Sequence, residues 1–208
     1  MGHVVRNKPW GIIDINTSSG LILFQERWQY VWTTTAGQVA WTPAEKRRFH
    51  RQVDVQVWNA WSNRIKLSAS GAASFCTQHP KAKINFDIKW VTANAHWTVN
   101  VRKLPPGSTP TTYISNVDRP NRQVNLDSGD LSSYRPCNAA AVCRGFKAVP
   151  HEFGHTFPGI NDEYGAGHAN LADSNSMMNI GDEIRARHLG PILGELNTMI
   201  PNCTFSYP

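Results

Sequence analysis

The stretch Val149–His168, VPHEFGHTFPGINDEYGAGH, constrains the fold more than any other part of the chain. His151 and His155 stand four residues apart, with Glu152 beside the first. On a helix that spacing puts both imidazoles on one face, about one turn apart. Ala148, Val149, Phe153 and Phe157 supply the buried side of the same helix. The helix is predicted to start near Gly145 and to stop at Pro158–Gly159, where the chain turns. Gly154 sits inside it, although glycine costs about 1 kcal/mol there relative to alanine. A glycine at that place makes sense if another group must approach the helix closely.

The residue types fit metal chemistry. Two imidazoles one turn apart can reach a single tetrahedral ion, and zinc lowers the pKa of a bound water toward ~7. Glu152 flanks the pair and is placed to take a proton from such a water. A catalytic zinc keeps three protein ligands and one open position, so a third ligand is required. The candidates are Asp162, Glu163, His168, Glu183, His188 and Glu195. Asp162 is favoured on reach, because the turn at Pro158–Gly159 lets a residue seven past His155 fold back onto the ion. Glu163 is next, with a longer arm. Asn161–Asp162 is also ordinary turn chemistry, which leaves the alternatives open.

HEFGHTFPGINDEY resembles the active-site stretch of metzincin-like zinc peptidases, especially the bacterial family first described as IgA peptidases. That pattern is H-E-x-G-H-x-x-x-G-x-x-D-E-Y, and His151, Glu152, Gly154, His155, Gly159, Asp162, Glu163 and Tyr164 match it. The resemblance implies zinc held by His151, His155 and Asp162, with Glu152 as the catalytic base. The chain departs from the stricter metzincin pattern at Pro158 and Asn161, so that Gly159 and Asp162 each fall one step later. Downstream, SMMNIGDEIRARHL looks like a Met-turn, with Met178 as the turn methionine and Met177 the alternative. The tyrosine that follows some Met-turns has no counterpart, which leaves Tyr164, Arg187 or His188 to stabilise an oxyanion. The likeness covers residues 149–189. More broadly, the chain looks similar to zinc-peptidase toxin domains delivered by bacterial secretion systems, which implies a secretion-system carrier or an immunity protein as partners.

Elsewhere the patterns are simpler. Residues 1–41, rich in Ile, Val, Trp and Thr, read as short strands and as an N-terminal elaboration on a catalytic core of residues 42–208. All eight tryptophans precede residue 98, which favours a packed N-terminal half. Thr42, Pro43 and Glu45 form a capping box with proline at the first helical position. Phe49, Val53, Val57, Ala60 and Trp61 follow on one face, so a long helix is expected to about Asn63. Ile84–Trp90 and Trp97–Val101 alternate on either side of Asn94 and predict an antiparallel hairpin. Leu104–Pro110 reads as a Pro/Gly loop, and Arg122–Leu126 as an exposed strand able to align an extended substrate. Leu189, Ile192, Leu193, Leu196 and Ile200 predict a last helix, with Pro191 in its first turn.

The expected architecture is therefore a single α+β domain, 1–208, of zincin or metzincin type. It would hold a small, mostly antiparallel sheet, a long N-terminal helix, the HExxH helix, a Met-turn and a C-terminal helix. With 208 residues and 40% hydrophobic content, one sizeable core is within reach. A net charge of +6 favours anionic surroundings. The basic residues are scattered, however, and the cluster Lys46, Arg47, Arg48 and Arg51 fits a solvated helix face better than a nucleic-acid site. No run approaches the ~20 apolar residues needed to span a bilayer, and the first residues lack a signal-peptide core. Four cysteines suit two disulfides, Cys137–Cys143 across a short loop and, by elimination, Cys76–Cys203. They point to an extracytoplasmic site of action. The leading expectation is a zinc endopeptidase acting on protein or peptide. The alternatives are a cell-wall peptide amidase and a non-catalytic zinc-stabilised binding module.

Overall fold

The computed structural model describes residues 2–108 and 115–207; positions 109 and 110 of the expected Pro/Gly loop lie outside them. The chain opens with three strands, β1 (His3–Lys8), β2 (Gly11–Asn16) and β3 (Leu21–Thr34), paired antiparallel in sequence. Helix α1 (Pro43–Trp61) follows, then β4 (Ile65–Ser70), the short α2 (Ser74–Gln78), β5 (Lys81–Trp90) and β6 (Trp97–Lys103). Next come β7 (Asn116–Asp118), β8 (Gln123–Asp127) and the motif helix α3 (Ala148–His155). A 3-10 turn (Ala186–Leu189), α4 (Gly190–Leu196) and β9 (Thr204–Ser206) complete the chain. The architecture is α+β, rich in sheet and with few helices.

The long helix is not N-terminal, because three strands precede it. Its local reading is otherwise direct. Thr42 accepts from Glu45 N, while the Glu45 carboxylate accepts from Thr42 N, and the buried residues are Phe49, Val53, Val57, Ala60 and Trp61.

All nine strands belong to one sheet, ordered β7-β8-β6-β3-β5-β4-β9 with the β1–β2 hairpin joined to β3. The sheet is large rather than small, and it is mixed: five of the eight pairings among the described residues are antiparallel, but β3–β5, β3–β6 and β6–β8 at its centre are parallel. The expected hairpin between β5 and β6 does not form. Trp28 of β3 is in register with Trp90, the end of β5, and with Trp97, the start of β6. The chain leaves one edge of β3 at Trp90 and joins the other edge at Trp97 without reversing direction. Alternation reported which face each side chain takes, but not which strand lies alongside.

Two further expectations change with this topology. Residues 1–41 supply β3, which lies between β5 and β6 at the middle of the sheet, rather than an elaboration at its margin. β8 is not exposed: β6 lies on one side and β7 on the other.

The core sits between the sheet and the two main helices. Phe24 and Phe86 from the strands meet Trp61 from α1 and Phe153 and Phe157 from the motif segment. Ring centroids are 4.9 Å apart for Phe24–Phe157 and 5.6 Å for Trp61–Phe153. The Trp61 indole N–H donates to Pro150 O at 3.0 Å, satisfying its one polar atom and tying α1 to the first turn of α3. This packing fixes the face that α3 turns away from the sheet.

Both expected disulfides are present, Cys76–Cys203 and Cys137–Cys143. They close segments of very different length, with sequence separations of 127 and 6 residues. In the loop-entropy account the longer closure stabilises more, about 4–5 kcal/mol against ~2 kcal/mol. Replacing Cys76 and Cys203 by serine should therefore lower the denaturation midpoint clearly more than replacing Cys137 and Cys143. Equal midpoints for the two double variants, measured side by side in guanidinium, would contradict this ordering.

Candidate metal centre

α3 is short, and every residue from Ala148 to His155 is buried. Its packing on the sheet leaves His151 and His155 pointing at a common spot. Their Nε2 atoms are 3.1 Å apart, and each lies 2.9 Å from Asp162 Oδ1. These distances are close to the roughly 3.4 Å edge of a tetrahedron with donors ~2.05 Å from zinc. His151, His155 and Asp162 form the one group of metal-ligand type found among the described residues.

The hydrogen bonds behind the rings fix their protonation. His151 Nδ1 donates to Met177 O at 2.8 Å, and His155 Nδ1 donates to Ile160 O at 3.0 Å. A carbonyl can only accept, so both rings carry their proton on Nδ1. Both Nε2 atoms then present lone pairs to each other and to a carboxylate oxygen. Three acceptors facing one point call for a cation between them. The surroundings favour a positive charge at this point: burial pulls the His151 pKa down, yet Asp162, Glu152 and the Met177 carbonyl prevail and raise it. Burial likewise pushes Asp162 up, but the two histidines hold it well below the usual carboxylate range.

The reversal that returns Asp162 to the histidines is built locally. Gly159 adopts φ 76°, a left-handed conformation open to glycine at little cost. Arg119, just after β7, donates from Nε to His155 O at 2.6 Å and from Nη1 to Asn161 Oδ1 at 2.9 Å. It thereby spans the turn from its first residue to the one before Asp162. The histidines form a buried floor, with His151 at 2% and His155 at 9% exposure, whereas the Asp162 side chain is 45% exposed. The group is open to solvent on that side.

Glu152 is 5% exposed and its Oε2 has no hydrogen-bond partner. Burial raises its pKa, opposed by the nearby histidines. A buried carboxylate oxygen without a donor, beside a set of metal-ligand atoms, fits a base awaiting a proton.

The Met177–Met178 segment runs under α3. Met177 orients His151 through its carbonyl, and Met178 is fully buried. A Cβ on Gly154 would lie 2.5 Å from Met178 Sδ and 3.1 Å from Trp61 Cζ2. This close approach accounts for the glycine inside α3.

The other third-ligand candidates are engaged elsewhere. Glu163 is 4% exposed and accepts from Arg187 Nε and Nη2 and from Ser176 Oγ, each at 2.6 Å. His188 Nδ1 accepts from Arg185 N, which leaves its Nε2–H facing Glu163 at 3.3 Å. Arg187 and His188 therefore serve Glu163 rather than an oxyanion. Glu183 pairs with Arg185, Glu195 pairs with Arg6 and Lys8 on β1, and His168 Nδ1 accepts from Asn170 N. Tyr164 remains near the metal group, its ring 6.0 Å from that of His151. Tyr134 was not anticipated. It pairs with Phe146 through an isolated bridge, and Phe146 packs edge-on against His151 at 4.9 Å. Burial, followed by the carboxylates of Asp130, Glu152 and Asp127, pushes its pKa up to about 12. Nothing in the spacing of residues 134 and 152 signals that neighbourhood.

Fold and site together define an α+β protein with a His151–His155–Asp162 group able to hold a metal ion. Among known proteins, no family model, no curated sequence and no solved structure matches this chain.

Proposed function

We propose that this protein is a zinc-dependent endopeptidase of metzincin-like type. The observation that carries the reading is the unpartnered, buried Oε2 of Glu152 beside the three convergent donors of His151, His155 and Asp162. Two histidines and a carboxylate are a donor set suited to zinc. Bound there, zinc would supply Lewis-acid activation of a water and of the scissile carbonyl. Glu152 takes the proton released from the water and returns it to the leaving amine. Tyr164, whose hydroxyl bonds Asp162, and Tyr134, which faces Glu152, are the neutral hydroxyl groups near the site that could donate to charge developing on the carbonyl oxygen. A purely structural metal site has no use for Glu152, which disfavours a non-catalytic binding module. Pairing of all four cysteines supports action outside the cytoplasm. No helix among the described residues is long and apolar enough to cross a membrane.

The test begins with the metal. Purified protein should hold about one zinc per chain, and His155→Ala should lose most of it. Incubated with denatured protein mixtures, the zinc-loaded protein should generate new termini that chelation abolishes and added zinc restores. Full zinc retention by both His151→Ala and His155→Ala would overturn the reading. So would the absence of any zinc-dependent cleavage of peptides or proteins. Release of cell-wall peptides alone would move the assignment to an amidase.

A further inference from the structure

The middle of the sheet holds a second carboxyl group that the proposed chemistry does not use. Glu26, on β3, is fully buried. Its register neighbour on β5 is the apolar Ile88, and no ion pair reaches it among the described residues. Its two hydrogen-bond partners are Trp28, whose Nε1–H lies 2.6 Å from Oε2, and Thr156, whose Oγ1 lies 2.5 Å from Oε1. Thr156 directly follows His155 and is 1% exposed.

Counting protons along this chain of contacts points to the state of the carboxyl. Thr156 Oγ1 is also 2.6 Å from Phe153 O, a backbone carbonyl that can only accept. The hydroxyl has one proton; Phe153 O already accepts from Thr156 N at 3.1 Å, but two oxygens 2.6 Å apart need that proton between them to avoid lone-pair repulsion. If the 2.5 Å contact to Glu26 is also a hydrogen bond, its proton must come from Glu26. The ionised alternative would turn the Thr156 proton toward Glu26 and leave two oxygen lone pairs facing each other at 2.6 Å. It would also place a negative charge at the C-terminal end of α3, the unfavourable end of the helix dipole. The neutral acid satisfies every contact: Trp28 donates to Oε2, Glu26 donates to Thr156, and Thr156 donates to Phe153 O.

We propose that Glu26 is held as a neutral carboxylic acid and is a positioning residue, pinning the last turn of α3 to the central strand and so fixing His155. The positioning half rests on the metal reading above, whereas the neutral state does not. Burial, partly offset by Thr156 and Trp28, raises the Glu26 pKa to about 8, in keeping with the proton count. In the unfolded chain the group would titrate near ~4.3. The folded state thus keeps a proton that the unfolded state has lost, so stability is full below the unfolded value and declines as pH rises through the folded value.

The experiment compares wild type with Glu26→Gln, whose amide can donate to Thr156 and accept from Trp28 without ionising. Unfolding equilibria in guanidinium, disulfides intact, would be measured from pH 5 to 9. The ratio of the Glu26→Gln folding constant to that of wild type should rise about tenfold per pH unit up to about pH 8, then level off. A ratio that stays constant between pH 5 and 8 would overturn the neutral state. Zinc affinity at pH 7 tests positioning: Glu26→Gln should stay within about twofold of wild type, while folded Glu26→Ala should bind at least ~10-fold more weakly, as for an outer partner of a ligand. If Glu26→Ala does not fold, Thr156→Val takes its place with the same expectation. Wild-type affinity in the folded Ala or Val variant would overturn the positioning role. If wild type itself binds no zinc, positioning fails along with the metal reading, and the pH comparison alone decides the protonation state.

Discussion

Glu152→Gln should leave the protein folded and zinc-bound while hydrolysis falls by ~100-fold or more, the usual loss for a positioned general base. The substitution keeps the shape of the side chain and removes only its ability to take a proton. Its neighbours should tolerate the change, because Oε2 has no hydrogen bond to lose and an amide is easier to bury than a carboxylate. Folding stability should therefore hold or rise slightly. Zinc content should match wild type, since the metal group comprises His151, His155 and Asp162. Full activity of Glu152→Gln on a verified substrate would rule out the proposed mechanism, even with zinc present. A loss of zinc from the same variant would instead make Glu152 part of the metal's own support.

The second large effect separates two adjacent acids. Asp162→Ala removes a donor that lies 2.9 Å from both histidine Nε2 atoms, on a side chain 45% exposed. Zinc affinity should fall by more than ~100-fold, with part of the lost activity recovered in excess zinc. Glu163→Ala removes a buried carboxylate that accepts from Arg187 and Ser176. Arg187 keeps Asp173 and is partly exposed, but the buried Ser176 and His188 lose the acceptor they face, so this variant should unfold at clearly lower denaturant. The backbone bond from Glu163 N to Met178 O at 2.8 Å, which alanine keeps, still anchors the ligand loop to the segment beneath α3. Titrations of metal binding and denaturation on both variants would give opposite profiles. If Asp162→Ala binds zinc normally, the third ligand lies elsewhere.

What could be read from the sequence was what short-range chemistry determines. Helix α1 was visible because Thr42, Pro43, Glu45 and its apolar face lie within one element. The meeting of His151, His155 and Asp162 was legible because a one-turn spacing and a Pro–Gly reversal act over a dozen residues. The disulfide pairing was legible because Cys137 and Cys143 lie six residues apart, which leaves Cys76 and Cys203 for each other. Strand partnership was not legible. Ile84–Trp90 and Trp97–Val101 alternate as any half-buried strands do, and nothing local says that both lie against Leu21–Thr34. The places of Glu26 and Tyr134 depend on that same long-range assembly. Glu26 matters only because β3 passes under α3, and Tyr134 only because its segment bridges to Phe146. The engagement of Glu163, Arg187 and His188 with one another was also hidden, since charged residues of a ligand loop read alike whether they hold a metal or hold the loop.

The sharing of β3 by β5 and β6 dictates an order of assembly. A ribosome-bound chain can form the hairpins of residues 3–34 at once, but the free edges of β3 must wait for residues 81–103 to emerge. During that interval one edge of β3 and the half beyond Gln25 stand unpaired, the kind of surface that invites self-association. Pairings this distant in sequence also close slowly. Cys137 and Cys143 need only a short loop to find each other, whereas Cys203 can reach Cys76 only after the 127 residues that separate them are made. Oxidation that ran ahead of the sheet could trap Cys76 with Cys137 or Cys143, so the yield of correctly paired protein should depend on a disulfide isomerase more than on an oxidant.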